Sequence, residues 1–178
     1  MEERKSMFRD LRANEIDCRI SQINEKGLTL LLYKDARVDM DILDETVGAK
    51  NWQRIHTRDN ANCIIEIWDA DKKQWIRKED TGTESFTEKE KGLASDSFKR
   101  AGFNWGIGRE LYTAPFIYVP IKDKEGNDNF DLKNKNGKLT TYTKFYVDAI
   151  QITNKEITGL SIKSDKDKRV FLYKKAGA

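Results

Sequence analysis

Gly27–Trp52 reads GLTLLLYKDARVDMDILDETVGAKNW, and its apolar period changes midway. In an extended chain Leu28, Leu30 and Leu32 share one face, while Leu31 and Tyr33 share the other. From Val38 onward the spacing lengthens, and Val38, Ile42, Leu43, Thr46 and Val47 recur at helical intervals. Asp35 stands where a side chain caps a helix start, and Gly48 where a left-handed residue ends one. A strand running directly into a helix makes the chain α+β. Upstream, Cys18–Ile23 alternates and Asn24-Glu25-Lys26-Gly27 supplies turn chemistry, which predicts a hairpin. Met7, Phe8 and Leu11 predict a short helix before it.

Downstream, Cys63, Ile65 and Ile67 alternate with Ile64, Glu66 and Trp68. Asp69–Lys73 reads as a turn and Gln74–Asp80 as the returning strand. Thr87–Ala101 reads as the longest helix. Ser85 and Glu88 have capping-box spacing, and Gly102 stands as its stop. Phe86, Leu93, Ala94, Ser97 and Ala101 form its narrow apolar face with Phe98 beside it, and Asp96 and Arg100 have i,i+4 pairing distance. After Pro115 the pattern is β again: Phe116–Ile121, Leu139–Ile152, Ile157–Lys163 and Val170–Tyr173. Lys122–Lys138, without periodicity, is expected to be a mobile loop. The expected architecture is a long basic-ended helix on an antiparallel sheet. Residues 1–118 form the core, and 119–178 a β-hairpin-rich extension of the same domain.

Composition bounds the function. The chain has 178 residues, with 33 Lys and Arg against 30 Asp and Glu, a net charge of +3. That excludes a histone-like polycation, and eight Phe, six Tyr and four Trp are too many core-formers for a disordered chain. The charge is uneven: residues 1–116 hold 20 basic and 22 acidic side chains, residues 117–178 hold 13 and 8. No apolar run reaches the ~20 residues of a membrane span. The start lacks a signal peptide's plan, and Cys18 and Cys63 have no CxxC spacing, so a reduced, cytoplasmic setting is expected.

Enzyme chemistry finds little to use. His56, the single histidine, sits between Arg54 and Arg58 with no orienting carboxylate nearby, and reads as a surface-loop residue. No phosphate-binding loop occurs, and Gly106-Ile107-Gly108 lacks the third glycine of a dinucleotide fingerprint. Asp39, Asp41, Asp44 and Glu45 read as a solvated helix face rather than a Mg²⁺ site, since i and i+2 project apart. Glu88-Lys89-Glu90-Lys91 holds an E-x-K string but no matching upstream strand aspartate, so a nuclease is the least favoured reading. No catalytic residue, metal or cofactor is expected.

Thr81–Tyr112, TGTESFTEKEKGLASDSFKRAGFNWGIGRELY, places Lys99-Arg100 near the end of an amphipathic helix, before an aromatic, glycine-broken turn and Arg109. The helix dipole alone favours cations there. However, Gly27–Trp52, the hairpin and the run from Glu88 to Tyr112 together resemble the single-strand annealing proteins of the Rad-fifty-two and phage Sak type, over roughly residues 14–118.

The resemblance implies a β-β-β-α core, assembly into rings or helical filaments, and no nucleotide hydrolysis. Single-stranded DNA would lie in a basic groove with its phosphates inward. The family's groove arginine matches Arg37, and its Lys-Arg pair matches Lys99 and Arg100. A basic residue of eukaryotic members falls on Phe103 here, which Arg109 is expected to replace. Lys34 and Tyr33, beside Arg37, complete the expected DNA-binding set. Phosphate contacts of this kind give affinity without sequence choice.

Tyr33, Trp52 and Trp105 are candidates for base stacking, with core packing the stronger reading. The edges at Gln74–Asp80 and along the second strand are expected contacts between copies. Expected partners are single-stranded DNA, further copies of the chain and a host single-strand-binding protein. The competing class is an oligomeric interaction module that binds no DNA.

Overall fold

The computed structural model describes residues 7–83 and 89–177, with side chains from residue 92 onward in the second stretch. The helix-start box at Ser85 and Glu88, Phe86 and the Glu88–Lys91 string therefore lie outside the residues whose side chains are described. Among the described residues the architecture is α+β, with two α-helices and antiparallel sheets. The chain divides into two compact units, Met1–Asp10 with Asp35–Arg109, and Leu11–Lys34 with Glu110–Ala178.

The first unit contains α1 (Ala36–Val47), β3 (Trp52–Thr57), β4 (Asn62–Asp69), β5 (Gln74–Thr81) and α2 (Lys89–Trp105). Asp35 caps α1 by accepting from the Arg37 amide, and Gly48, at φ +85°, ends it. The strands form an antiparallel sheet in the order β3-β4-β5. Strand alternation sends Cys63, Ile65 and Ile67 to the face that α2 covers with Phe98 and Ala101, and burying each large side chain contributes roughly 1.5–3 kcal/mol. Gly82 is required here, because a Cβ would stand 2.6 Å from the Ser97 amide nitrogen.

His56, read from the sequence as a surface-loop residue, lies on the segment Trp52–Thr57, which is β3. The segment is a strand because His56 pairs in register with Cys63 and Trp52 with Ile67, so tertiary pairing overrides its polar composition. Gly102 does not end α2. The helix runs to Trp105, and Gly106 (φ +103°) ends it in a Schellman arrangement, with Gly106 N donating to Phe103 O and Ile107 N to Gly102 O. Gly102 instead lies against the Asp39 side chain, 3.5 Å from where its Cβ would be.

The second unit contains β1 (Asp17–Ile23), β2 (Gly27–Tyr33), β6 (Ile117–Pro120), β7 (Lys133–Lys135), β8 (Lys138–Thr140), β9 (Phe145–Thr153), β10 (Glu156–Ser164) and β11 (Arg169–Lys174). Six of them form one sheet in the order β11-β10-β9-β1-β2-β6, with its edges β11 and β6 in contact. Leu28, Leu30, Ile117, Val119, Leu160 and Ile162 are buried on one face of that sheet. Asn154 and Lys155, at φ +52° and +63°, make the tight β9–β10 turn in the primed form that suits strand twist.

The units thus do not part at residue 118. The first hairpin belongs with the C-terminal strands, because β2 pairs with β6 and β1 with β9. It follows that β2 is an interior strand and offers no edge. The expected strand 139–152 is two pieces, β8 and β9. The expected loop 122–138 is pinned by Phe130, which is buried against Phe145, and holds the strand β7. Residues 7–12 are not helical; a short 3-10 turn at Ala13–Glu15 follows them.

Candidate nucleic-acid interface

Helix α1 packs on α2 through its first turn. Asp39 there is fully buried against Gly102, so the carboxylates of α1 are not one solvated face. Asp44 accepts from Trp52 Nε1 at 2.6 Å, and Glu45 pairs with Arg9 at 2.6 Å. The contact brings the helix turn carrying Arg37 to α2 one turn beyond Lys99. Arg37 is exposed and Lys99 half-buried. Among the described residues neither side chain has a hydrogen-bond or ion-pair partner, since Arg37 contributes only its backbone amide to the Asp35 cap.

Other described cations on and beside α2 are engaged, whereas Lys50, Arg58 and Lys73, away from it, also have no partner among the described residues. Arg100 does not meet Asp96. It pairs with Asp80 at 3.4 Å, while Asp96 accepts from the amide and hydroxyl of Thr83. Arg109 stands over the Phe103 ring, 5.6 Å from its centroid. Two of its donors are held by the carbonyls of Phe103 and Asn104, at 2.8 and 2.9 Å. Lys78 donates to Asn104 O at 2.9 Å and covers Trp105. Both cations thus serve the negative end of α2. Arg54 lies over Phe98. Lys78 and Arg54 escaped sequence reasoning because inward-facing cations in a strand carry no periodic signal.

Trp52 and Trp105 are packing residues: Trp52 lies 6.1 Å from Phe98, and Trp105 Nε1 donates to Ile65 O. The opposite face of the β3-β4-β5 sheet exposes Ile55, Trp68 and Trp75, the two indoles in edge contact at 5.6 Å. Between them Glu66 is buried, held by Arg77 at 2.9 Å and by Gln53.

His56 is half-buried on β3, with Nδ1 3.5 Å from Ser97 Oγ, and is not a surface-loop residue. Burial and then Arg54 lower its pKa below the ordinary imidazole value. Burial pushes the Cys63 thiol up to about 11, so it stays protonated and unreactive at neutral pH.

Of the candidates in the second unit, Tyr33 is exposed on β2 opposite Asp17. Lys34 is buried, 6% exposed, which withdraws it from any strand-binding surface. The first unit, with Arg37 and Lys99, holds 16 basic against 18 acidic residues, and the second 17 against 12. Among the described residues no helix is long and apolar enough to cross a membrane.

No family model matches the chain, and no curated protein or solved structure matches it either.

Proposed function

We propose that this chain is an ATP-independent protein that binds and anneals single-stranded DNA in recombination or repair, of the phage type, working as a ring or filament of copies. The observation that carries the reading is the selective use of the described cations on and beside α1 and α2. Arg100, Arg109 and Lys78 are committed to a carboxylate or to helix carbonyls, whereas Arg37 and Lys99 are left without partners among the described residues, on two helices that touch. The reading is supported by the element order β3-β4-β5-α2, three antiparallel strands followed by a helix.

In this mechanism the two cations hold phosphates, and Watson–Crick pairing selects the incoming strand. Sequence choice by the protein would hinder annealing, so backbone contact suits the task. A unit with an excess of acidic residues cannot hold DNA by bulk charge. Repetition of Arg37 and Lys99 around an assembly concentrates the local potential instead.

The test is oligonucleotide affinity measured against salt. The double variant Arg37→Ala, Lys99→Ala should bind more weakly and show a salt slope shallower by about 1.4 per protomer, at about 0.7 for each phosphate no longer neutralised. An unchanged affinity and slope would remove these residues from the interface. A second reading, an interaction module without DNA binding, is favoured by the exposed Ile55, Trp68 and Trp75. It predicts a stable oligomer that binds no oligonucleotide.

A further inference from the structure

The six-stranded sheet of the second unit has an outward face with an unusual composition. Its inward residues on β2 and β6 are Leu28, Leu30, Ile117 and Val119, all buried. Their neighbours of opposite parity are large and open to solvent: Leu31 at 47%, Tyr33 at 42%, Phe116 at 78% and Tyr118 at 37%. Register places them together, since β2 pairs with β6 through Leu30 and Ile117, and through Thr29 and Tyr118. Gly27 is fitted to this surface: a Cβ there would meet the Tyr118 hydroxyl at 2.5 Å, so the missing side chain makes room for the tyrosine ring across the strand. Nothing about core packing calls for an exposed Phe116, whose ring stands open to solvent beside the sheet.

The strands that carry and flank these rings hold more cations than carboxylates, Asp17 opposite Tyr33 being the exception. β1, β2, β6 and β11 together contain three basic residues, Arg19, Arg169 and Lys174, and one acidic residue, Asp17. Arg19 is exposed directly opposite Leu31 in the β1–β2 register, and Lys174 is exposed on β11, the edge strand that contacts β6. None of the three basic side chains has a hydrogen-bond or ion-pair partner among the described residues. The unit as a whole carries 17 basic against 12 acidic residues. An aromatic face bordered by unpaired cations and almost without carboxylates matches a polyanion whose subunits carry flat apolar faces.

We propose that this outward face is a base-stacking surface for single-stranded nucleic acid, with Phe116, Tyr118 and Tyr33 as platforms and Arg19 and Lys174 as phosphate contacts. The choice of occupant rests on the annealing reading, but the surface is built from other residues than Arg37 and Lys99 and adds a different kind of contact. Stacking on aromatic rings tolerates every base and so remains compatible with strand pairing by sequence. On this account the second unit offers stacking to bases, a contact separate from the phosphate contacts proposed for Arg37 and Lys99.

The experiment compares the full chain with its double variant Phe116→Ala, Tyr118→Ala, after circular dichroism shows both equally folded. Each is titrated with oligo-dT and with an abasic strand of the same length, and oligomer mass is recorded. The double variant should bind oligo-dT on the order of a hundredfold more weakly, with its salt slope and its affinity for the abasic strand unchanged. Equal oligo-dT affinity in the two proteins would overturn the stacking surface. A lower oligomer mass in the variant would overturn it in favour of a second copy covering the face. If the double variant fails to fold, Phe116→Ala alone, at the most exposed ring, is read the same way, with affinity expected to fall about tenfold. Retained oligo-dT binding in this variant, together with weakened binding in Arg37→Ala, Lys99→Ala, would sink the stacking surface alone. A wild-type protein that binds neither strand would sink the annealing reading with it.

Discussion

The two units solve opposite problems with similar parts. The first carries all four tryptophans, both α-helices and a three-stranded sheet, and its acidic residues outnumber its basic ones. The second has no tryptophan, a six-stranded sheet and the chain's excess of positive charge. In the first, the cations beside α2 are locked in place by Asp80, by the helix's C-terminal carbonyls and by the rings of Phe98 and Trp105, while Arg37 and Lys99, like Lys50, Arg58 and Lys73, have no partner among the described residues. In the second, Arg19, Arg169 and Lys174 lie open on strand surfaces. Net charge is therefore a poor guide to which unit meets a phosphate backbone. What matters is which cations already have partners.

The comparison breaks most visibly under core substitution. Phe98→Ala removes a fully buried ring from the first unit and should cost about 3–5 kcal/mol. Tryptophan emission during denaturation reports that unit alone, because every tryptophan lies in it. The counterpart in the second unit is Glu110→Ala. Glu110 is fully buried, accepts from the Leu11 amide at 2.7 Å and lies 3.9 Å from Lys155 Nζ, so its removal should cost about 1–3 kcal/mol. A smaller effect for Phe98→Ala than for Glu110→Ala in chemical denaturation would show that the first unit's core is not organised around α2.

Acid provides a subtler contrast. Lys168 donates to Asp123 at 2.7 Å, and this contact, with the Asn127 bonds, holds the carboxyl down at about 2. A carboxyl depressed in the folded state adds stability that is complete above its unfolded pKa, near 4, and is lost as pH falls toward 2. Lys168→Met should flatten denaturation midpoints across that window, and an unaltered pH profile would remove the ion pair from the account. The smallest effect belongs to the first unit. His56 is the chain's one imidazole, and its NMR titration should have a midpoint below 6.5. A midpoint above 6.5 would place it in a more solvated or more acidic setting than the one between Arg54 and Ser97.

Local signals were readable in the sequence. Asp35 and Gly48 bracket α1 as their chemistry predicts, the β1–β2 and β4–β5 hairpins fall within a residue or two of their patterns, and α2 carries its core on Ser97, Phe98 and Ala101. What escaped depended on distant pairing. Trp52–Thr57 becomes a strand only because β4 is beside it, and the first hairpin joins the C-terminal strands through pairings that span more than 80 residues. Of the candidate site, Arg37 is exposed and Lys99 half-buried. Lys34 is buried and Arg100 is spent on Asp80, and neither outcome is visible without the partner that causes it. Phe116 shows the converse: its parity with β6 points it outward, and only the structure shows its ring to be open to solvent.

The central claim is annealing by scaffolding, without nucleotide hydrolysis. Its most direct test mixes the protein with two complementary labelled oligonucleotides in the absence of ATP and follows duplex formation by energy transfer, beside the variant Arg37→Ala, Lys99→Ala. The account predicts that the wild-type protein accelerates pairing well above the spontaneous rate and that the variant, equally folded, does not. Pairing at the spontaneous rate with wild-type protein, or equal acceleration by the variant, would contradict it.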